Sequence, residues 1–234
     1  MSYGIFPSPL GHILIARSED GVSLVEYLGD ARDVSASRLA RGAGVDAMED
    51  AAALEAFYRE LLDFLEGRRT HLEWPLDFRL ARSDFHRSVL QATAAIPYGA
   101  VRSYTGIAYE VGKPTAMRAV AQALRWNPLL IVVLCYRVVG SSGALVGYAG
   151  SKVGLKQQLL AVEGVHTVAG LRLPRDAMYV TLPGESAYCL PTCGWIPTAE
   201  HPHRFIFFGA RARAEAAGLT PCSDCRPDLH PLAS

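Results

Sequence analysis

Four cysteines near the end of the chain constrain its folding most. Cys189 and Cys193 are spaced C-x3-C, Cys222 and Cys225 are spaced C-x2-C, and 28 residues separate the two pairs. Two close pairs around a foldable insert are how a tetrahedral Zn²⁺ site is written in sequence. A segment this short has a thin apolar core, and metal binding can supply the folding energy that the core lacks. The competing readings are four ordinary buried thiols or two disulfides. Disulfides fit a secreted chain, but the N-terminus MSYGIFPSPLG has no basic stretch followed by an apolar one. The expected location is therefore cytoplasmic, and nucleoid-associated in a bacterium. No apolar run approaches the roughly 18–20 residues that span a bilayer.

The charge is unevenly distributed. Over all 234 residues, 23 Lys/Arg balance 23 Asp/Glu. Residues 1–81 carry 8 basic against 14 acidic side chains, net −6. Residues 82–163 carry 9 against 3, net +6, and residues 164–234 carry 6 against 6. A basic middle between an acidic and a neutral segment points to a polyanion partner for that middle; the alternative is an uneven solvated surface.

Residues 10–27 alternate apolar and polar on both sides of Asp20-Gly21, which predicts a β-hairpin. Residues 49–66 then place Ala53, Leu54, Phe57, Leu61, Leu62 and Leu65 at helical spacing, with acids in the first turn. In the basic middle, Ser83 is an N-cap candidate for a helix over 83–96. Residues 96–104, with Pro97 and Gly99, read as a turn, and Ser103 can cap a second short helix. Pro114 stands where the first turn of a third helix would begin. That helix ends at Asn127-Pro128 and is rich in alanine at 116, 119, 121 and 123. This order suggests a helix-turn-helix; the small side chains either let its backbone approach another surface or simply pack in a core. Residues 165–180, past Glu163-Gly164, read as a connector with room for one strand.

The fifth cysteine, Cys135, ends the apolar run LLIVVL and precedes Tyr136 and Arg137. The run reads as a buried strand. A lone cysteine there is either core filler or a nucleophile at a strand end.

The segments IPYGAVRSY, RAVAQALRWNP, LCYRVVGSSGALVGYAG and LLAVEG resemble O6-alkylguanine-DNA alkyltransferases in order and nearly in spacing, over about residues 82–164. SPLGHILIARSEDGVSLVEY resembles that family's N-terminal domain, and the tail from YCLPTC to PCSDCRPD resembles the zinc domain of Ada-type adaptive-response proteins. In those proteins the zinc domain comes first; here it comes last. The resemblance implies an α/β plus α fold class with three parts. These are a ribonuclease-H-like N-terminal domain over 1–80, a helix-turn-helix (winged-helix-like) alkyltransferase domain over 81–168, and a small zinc-bound α/β domain over 178–234.

It also implies irreversible transfer of an alkyl group from guanine O6 to Cys135, on a nucleotide flipped out of double-stranded DNA from the minor-groove side by a monomeric protein. Tyr104 would push on the phosphate of the flipped nucleotide, and Arg118 would take its place in the stack. Ala119 and Arg137 complete the DNA-binding set. Asn127 would order the turn leading to the site, and Tyr148 would help form the guanine pocket. The family's reactive motif is PCHR, and this chain has LCYR, with Leu134 for the proline and Tyr136 for the histidine. In the family that histidine links the cysteine, through water, to a glutamate matching Glu163 and acts as general base. A tyrosine, with a pKa of about 10, is a poor proton acceptor near neutrality. Cys189, the first zinc-site cysteine, is implied as a second acceptor for methyl groups from phosphotriesters, although YCLP here replaces YCRP. The alternatives are a lesion-binding sensor that does not react, and a regulator that responds to methylation of Cys189.

Overall fold

Asp20-Gly21 turns the chain back on itself. β1 (Ser2–Ser8), β2 (Gly11–Arg17) and β3 (Val22–Gly29) pair antiparallel in sequence. Gly21 has φ +146°, and a Cβ there would lie 2.2 Å from the Pro75 carbonyl oxygen, so a side chain has neither the conformation nor the room. A short strand β4 (Met48–Glu49) adds parallel to β1, giving the order β3-β2-β1-β4. The structure, a computed structural model, describes residues 1–31, 39, 46–150, 152–196 and 202–232. Two units form, one from residues 1–87 and 126–133, the other from residues 88–125 and 134–234.

In the first unit, α1 (Glu55–Leu65) buries Leu61, Phe64 and Leu65. Ala53, expected on that face, lies in the preceding 3-10 turn and is exposed, because the regular helix starts only at Glu55. The apolar run after Pro128 is not a strand. Val25 N–H donates to the Pro128 carbonyl at 2.8 Å and Leu130 N–H to the Val25 carbonyl at 3.0 Å. One bridge thus docks the run on β3, and Ile131, at φ 73°, then turns it away. A positive φ is costly for a β-branched residue. Asn127, fully buried, holds the turn: its Oδ1 accepts from Leu129 N–H at 2.9 Å and its Nδ2 donates to the Val133 carbonyl at 3.0 Å. A continuous apolar run has no period, so the sequence could not separate a strand from this buried turn.

The helix α2 (Asp84–Ala94) is capped as expected, with His86 N–H on Ser83 Oγ at 3.1 Å. After the Gly99 turn (φ 75°) comes a strand, β5 (Ala100–Ser103), where the sequence suggested only a turn. Ser103 then caps α3 (Tyr104–Glu110), its Oγ accepting from Gly106 N–H at 2.9 Å. α4 (Met117–Arg125) starts after Pro114 rather than at it, and buries Val120, Ala123 and Leu124. β6 (Val138–Val139) pairs parallel to β5, and α5 (Val153–Val162) follows.

The remaining elements are β7 (Tyr179–Thr181), β8 (Ala187–Tyr188), β9 (Ile206–Phe208), α6 (Arg211–Ala216) and β10 (Thr220–Pro221). β9 inserts between β5 and β7, giving a four-stranded sheet of order β6-β5-β9-β7, while β8 and β10 form a parallel pair. No helix among the described residues is long and apolar enough to cross a membrane.

Replacing Asn127 by Ala leaves the Leu129 N–H and the Val133 carbonyl without their side-chain partner. We expect a stability loss on the order of 2–3 kcal/mol in urea unfolding; a midpoint equal to wild type would remove Asn127 from its role in this turn.

Candidate active site and metal centre

Cys135 opens a 3-10 turn, Cys135–Arg137, immediately before β6. The residue is 5% exposed and lines a cavity of about 790 Å³. α4 supplies Met117, Arg118, Ala121, Gln122 and Arg125 to the wall, α3 supplies Tyr104, and the loop 146–150 supplies Tyr148 and its neighbours. The face of α4 opposite its buried stripe, including Ala119, is exposed. Ala119 does not line the cavity, but it lies on the same open face as Arg118.

A buried carboxylate is bonded to the two residues that follow the thiol. Glu163, 1% exposed, follows α5 directly. Its Oε1 accepts from Tyr136 Oη–H at 2.5 Å and from Arg137 Nη2 at 2.7 Å; its Oε2 accepts from Arg137 Nε at 2.9 Å and Gly99 N–H at 3.0 Å. Tyr136 is fully buried and packs edge-on against Tyr148, ring centroids 6.3 Å apart. Burial, joined by the neighbouring Glu163 charge, pushes its phenol pKa well above 10 and outweighs the opposing pull of Arg137. Tyr136 is therefore a neutral donor to Glu163 at any working pH. The sequence grouped Arg137 with the DNA-contacting residues, and here a correction is required. Arg137 is 2% exposed, with its guanidinium bound to Glu163 and to the Ile96 carbonyl. Its charge is spent inside the protein.

One residue of the site escaped the sequence reading. Lys156 of α5 is fully buried, and its Nζ donates to the carbonyls of Val138 (2.5 Å) and Val146 (3.1 Å). Burial lowers its pKa to about 8, and a negative charge on Cys135 pulls the other way, so the two groups are close enough to interact. Tyr104 donates to the same Val146 carbonyl at 3.1 Å, and burial raises its pKa to about 12. The available signal was a lone lysine sharing a helical face with the buried Leu159 and Leu160. Asn127 belongs to the first unit, where it orders the turn already described.

The four remaining cysteines come together as their spacing predicts. Their Sγ atoms all lie within 4.8 Å of one another. A tetrahedral zinc with Zn–S near 2.3 Å needs sulfurs about 3.8 Å apart, so a small contraction suffices. Two sulfurs already accept N–H groups, Cys189 from the Trp195 indole at 3.1 Å and Cys225 from Leu190 N–H at 3.4 Å. Such donors spread thiolate charge around a metal. Cys189, Cys193 and Cys222 share one apolar cluster with Val180 of β7 and Phe205.

A buried thiol at the wall of a cavity rimmed by an exposed basic helix, together with a four-cysteine cluster in the tail, defines a cysteine-containing site with an attached metal-binding segment. Residues 1–78 match the ribonuclease-like domain of 6-O-methylguanine DNA methyltransferase, residues 84–165 its DNA binding domain, and residues 176–228 the metal binding domain of Ada. The chain is 36% identical to a methylated-DNA–protein-cysteine methyltransferase of Methanosarcina acetivorans, over 70% of this chain and 99% of that protein. It is 37% identical to the constitutive one of Bacillus subtilis, over 70% and 95%. The structure of Mycobacterium tuberculosis OGT in complex with DNA superposes with TM-score 0.60 at 32% identity, covering 73% of this chain and 98% of that one. The chain belongs to the methylated-DNA–protein-cysteine methyltransferase family, and its four tail cysteines form a zinc site.

Metal analysis of the native protein should find one zinc per chain. Cys222→Ser should lower that content and weaken the packing around Val180 and Phe205. Full zinc retention in Cys222→Ser would exclude the assigned ligand set.

Proposed function

We propose that this protein repairs DNA in a single turnover by taking an alkyl group from guanine O6 onto Cys135. The observation that carries this is the position of the Cys135 thiol, on a cavity whose wall is the exposed, basic face of α4. The substrate is an O6-alkylated guanine in double-stranded DNA. It is read by a helix-turn-helix (α3 and α4) of winged-helix type, with a ribonuclease-H-like N-terminal unit, in a protein acting as a monomer. Arg118 and the small Ala119 and Ala121 enter the minor groove, Arg118 replaces the flipped base, Tyr104 pushes on the phosphate of the flipped nucleotide, and Tyr148 walls the base.

In the transfer the Cys135 thiolate attacks the alkyl carbon, an S–C bond forms, and the C–O6 bond breaks with its electron pair on guanine. Thiolate formation needs a proton acceptor, and neutral Tyr136 cannot hold a second proton. It can relay one: a proton carried from Cys135 by water onto Oη is matched by release of its own to Glu163 Oε1, 2.5 Å away. The Lys156 ammonium near Cys135 stabilises the thiolate so formed. Zinc, when bound, keeps the tail sulfurs as thiolates. Cys189 is the cysteine matching a phosphotriester acceptor, but it is 2% exposed with Trp195 on its sulfur, so that role would require Trp195 to move.

Intact-protein mass measurement with O6-methylguanine DNA tests the assignment. One methyl should be gained on Cys135, and none in Cys135→Ala. Tyr136→Phe keeps the ring but breaks the relay, and should slow transfer by about 10²–10⁴-fold, the usual contribution of a positioned acid-base group. Tyr136→His should transfer faster than Tyr136→Phe. Equal rates for Tyr136→Phe and wild type would eliminate the relay. An unchanged mass with DNA binding intact would favour the non-reacting lesion sensor, to which the loss of the histidine also points.

Binding should weaken as salt rises, because phosphates supply much of the affinity. Arg118→Ala should lose discrimination between alkylated and intact duplex; equal discrimination by variant and parent would contradict the proposed use of α4.

A further inference from the structure

The zinc-binding tail does not stand apart from the acceptor site in this fold. β9 pairs with β5 through Ala100–Phe208, Val101–Phe207 and Arg102–Ile206, while β6, which follows the Cys135 turn, pairs with the other edge of β5. The tail therefore makes contact at both ends of β5. At one end Gly209 N–H donates to the Gly99 carbonyl at 3.1 Å, and Gly99 N–H donates to Glu163 at 3.0 Å. A Cβ on Gly209 would lie 2.5 Å from the Gly164 carbonyl oxygen, next to Glu163 in the chain. The Arg213 stem packs so closely on Gly99 that a Cβ there would meet its Cγ at 2.6 Å. Its guanidinium lies 4.6 Å from the centroid of the Tyr98 ring, and the Tyr98 hydroxyl donates to the Val162 carbonyl at 3.2 Å. At the other end Ser103 Oγ donates to the His203 carbonyl at 3.1 Å, just before Tyr104.

Building on the Cys135 reading above, we infer that the zinc-bound tail is a working part of the acceptor site, in which Gly209 and Arg213 are positioning residues that fix Gly99 and Glu163 and hence the Tyr136–Arg137 turn carrying Cys135. The zinc cysteines enter because Cys189 pairs with Val180 of β7 through both backbone bonds (2.8 and 2.9 Å), and β7 pairs with β9. The metal thus anchors the strands that present Gly209. Neither residue touches the cavity, so both act through Gly99 and the segment around Glu163.

The test uses the full-length, zinc-loaded protein with Gly209→Ala, Arg213→Ala and Arg213→Lys. Transfer from O6-methylguanine DNA is measured at saturating DNA, alongside DNA affinity, zinc content and amide hydrogen exchange over residues 98–99 and 135–137. Gly209→Ala and Arg213→Ala should keep their zinc and DNA affinity but transfer about 10- to 100-fold more slowly, the scale set by misplacing a reacting group by about 1 Å. Exchange at 135–137 should rise. Arg213→Lys, which keeps an aliphatic stem on Gly99, should recover much of the loss. Wild-type transfer by Arg213→Ala with zinc retained overturns the inference. If a variant loses zinc, chelated wild type decides: a tail melted by chelation with transfer unchanged also overturns it. If wild type itself never alkylates Cys135, the functional reading has failed, and the coupling is then judged on exchange at 135–137 alone, where no change in the variants rejects it.

Discussion

A buried carboxylate needs enough partners to offset the loss of water, and Glu163 has four donors. An unpaired ion costs several kcal/mol in a protein interior, and removing one member of a buried pair typically costs roughly 3–5 kcal/mol. The four donors come from two distant places in the sequence, Gly99 at one and Tyr136 with two nitrogens of the adjacent Arg137 at the other. Arg137 also ties in the Ile96 carbonyl at the end of the α2 segment. Satisfying that one charge therefore fixes the turn after α2, the end of α5 and the turn that carries Cys135. The Cys135 thiol owes its place to the network formed by the two residues that follow it.

The same network fixes the protonation state of Tyr136. A histidine at this point could hold a proton taken from the cysteine, whereas a phenol with its pKa raised well above 10 already carries its proton. Its hydroxyl is already committed to Glu163 at 2.5 Å, a charge-assisted bond of the strong kind. Lys156 supplies a second electrostatic element, a buried cation whose pKa of about 8 leaves it mostly charged at neutral pH. The site thus holds a neutral buried donor, Tyr136, and a buried cation, Lys156. Arg137, which bears the more obvious charge, is neutralised by Glu163.

The order of elements along the chain differs from their order in space. β9, from the zinc-binding tail, lies between β5 and β7, so two sequence segments that match different families share one sheet. Sheet edges are open templates for pairing, and β5 would expose such an edge without β9. The small residues at the junction, Gly99 and Gly209, permit backbone approach that any side chain would block.

Much was legible in the sequence because it is local or written in spacing. The Asp20-Gly21 hairpin, the Ser83 and Ser103 caps and the four zinc cysteines follow from turn chemistry, capping chemistry and ligand spacing. Each concerns residues close in sequence or a pattern with one physical solution. Cys135, Tyr136 and Glu163 could be singled out from the resemblance of their motifs. What the sequence left open depends on partners distant along the chain. Arg137 and Lys156 carry charges that the sequence cannot assign to surface or interior, and only the fold puts Glu163 beside one and backbone carbonyls around the other. The apolar run before Cys135 has no period, so its bend at Ile131 was decided by Asn127 and the edge of β3. The tail, too, could be read as a separate unit until β9 was seen in the sheet, because strand pairing between distant segments is settled by which edge is free, and the edge of β5 exists only once the chain has folded.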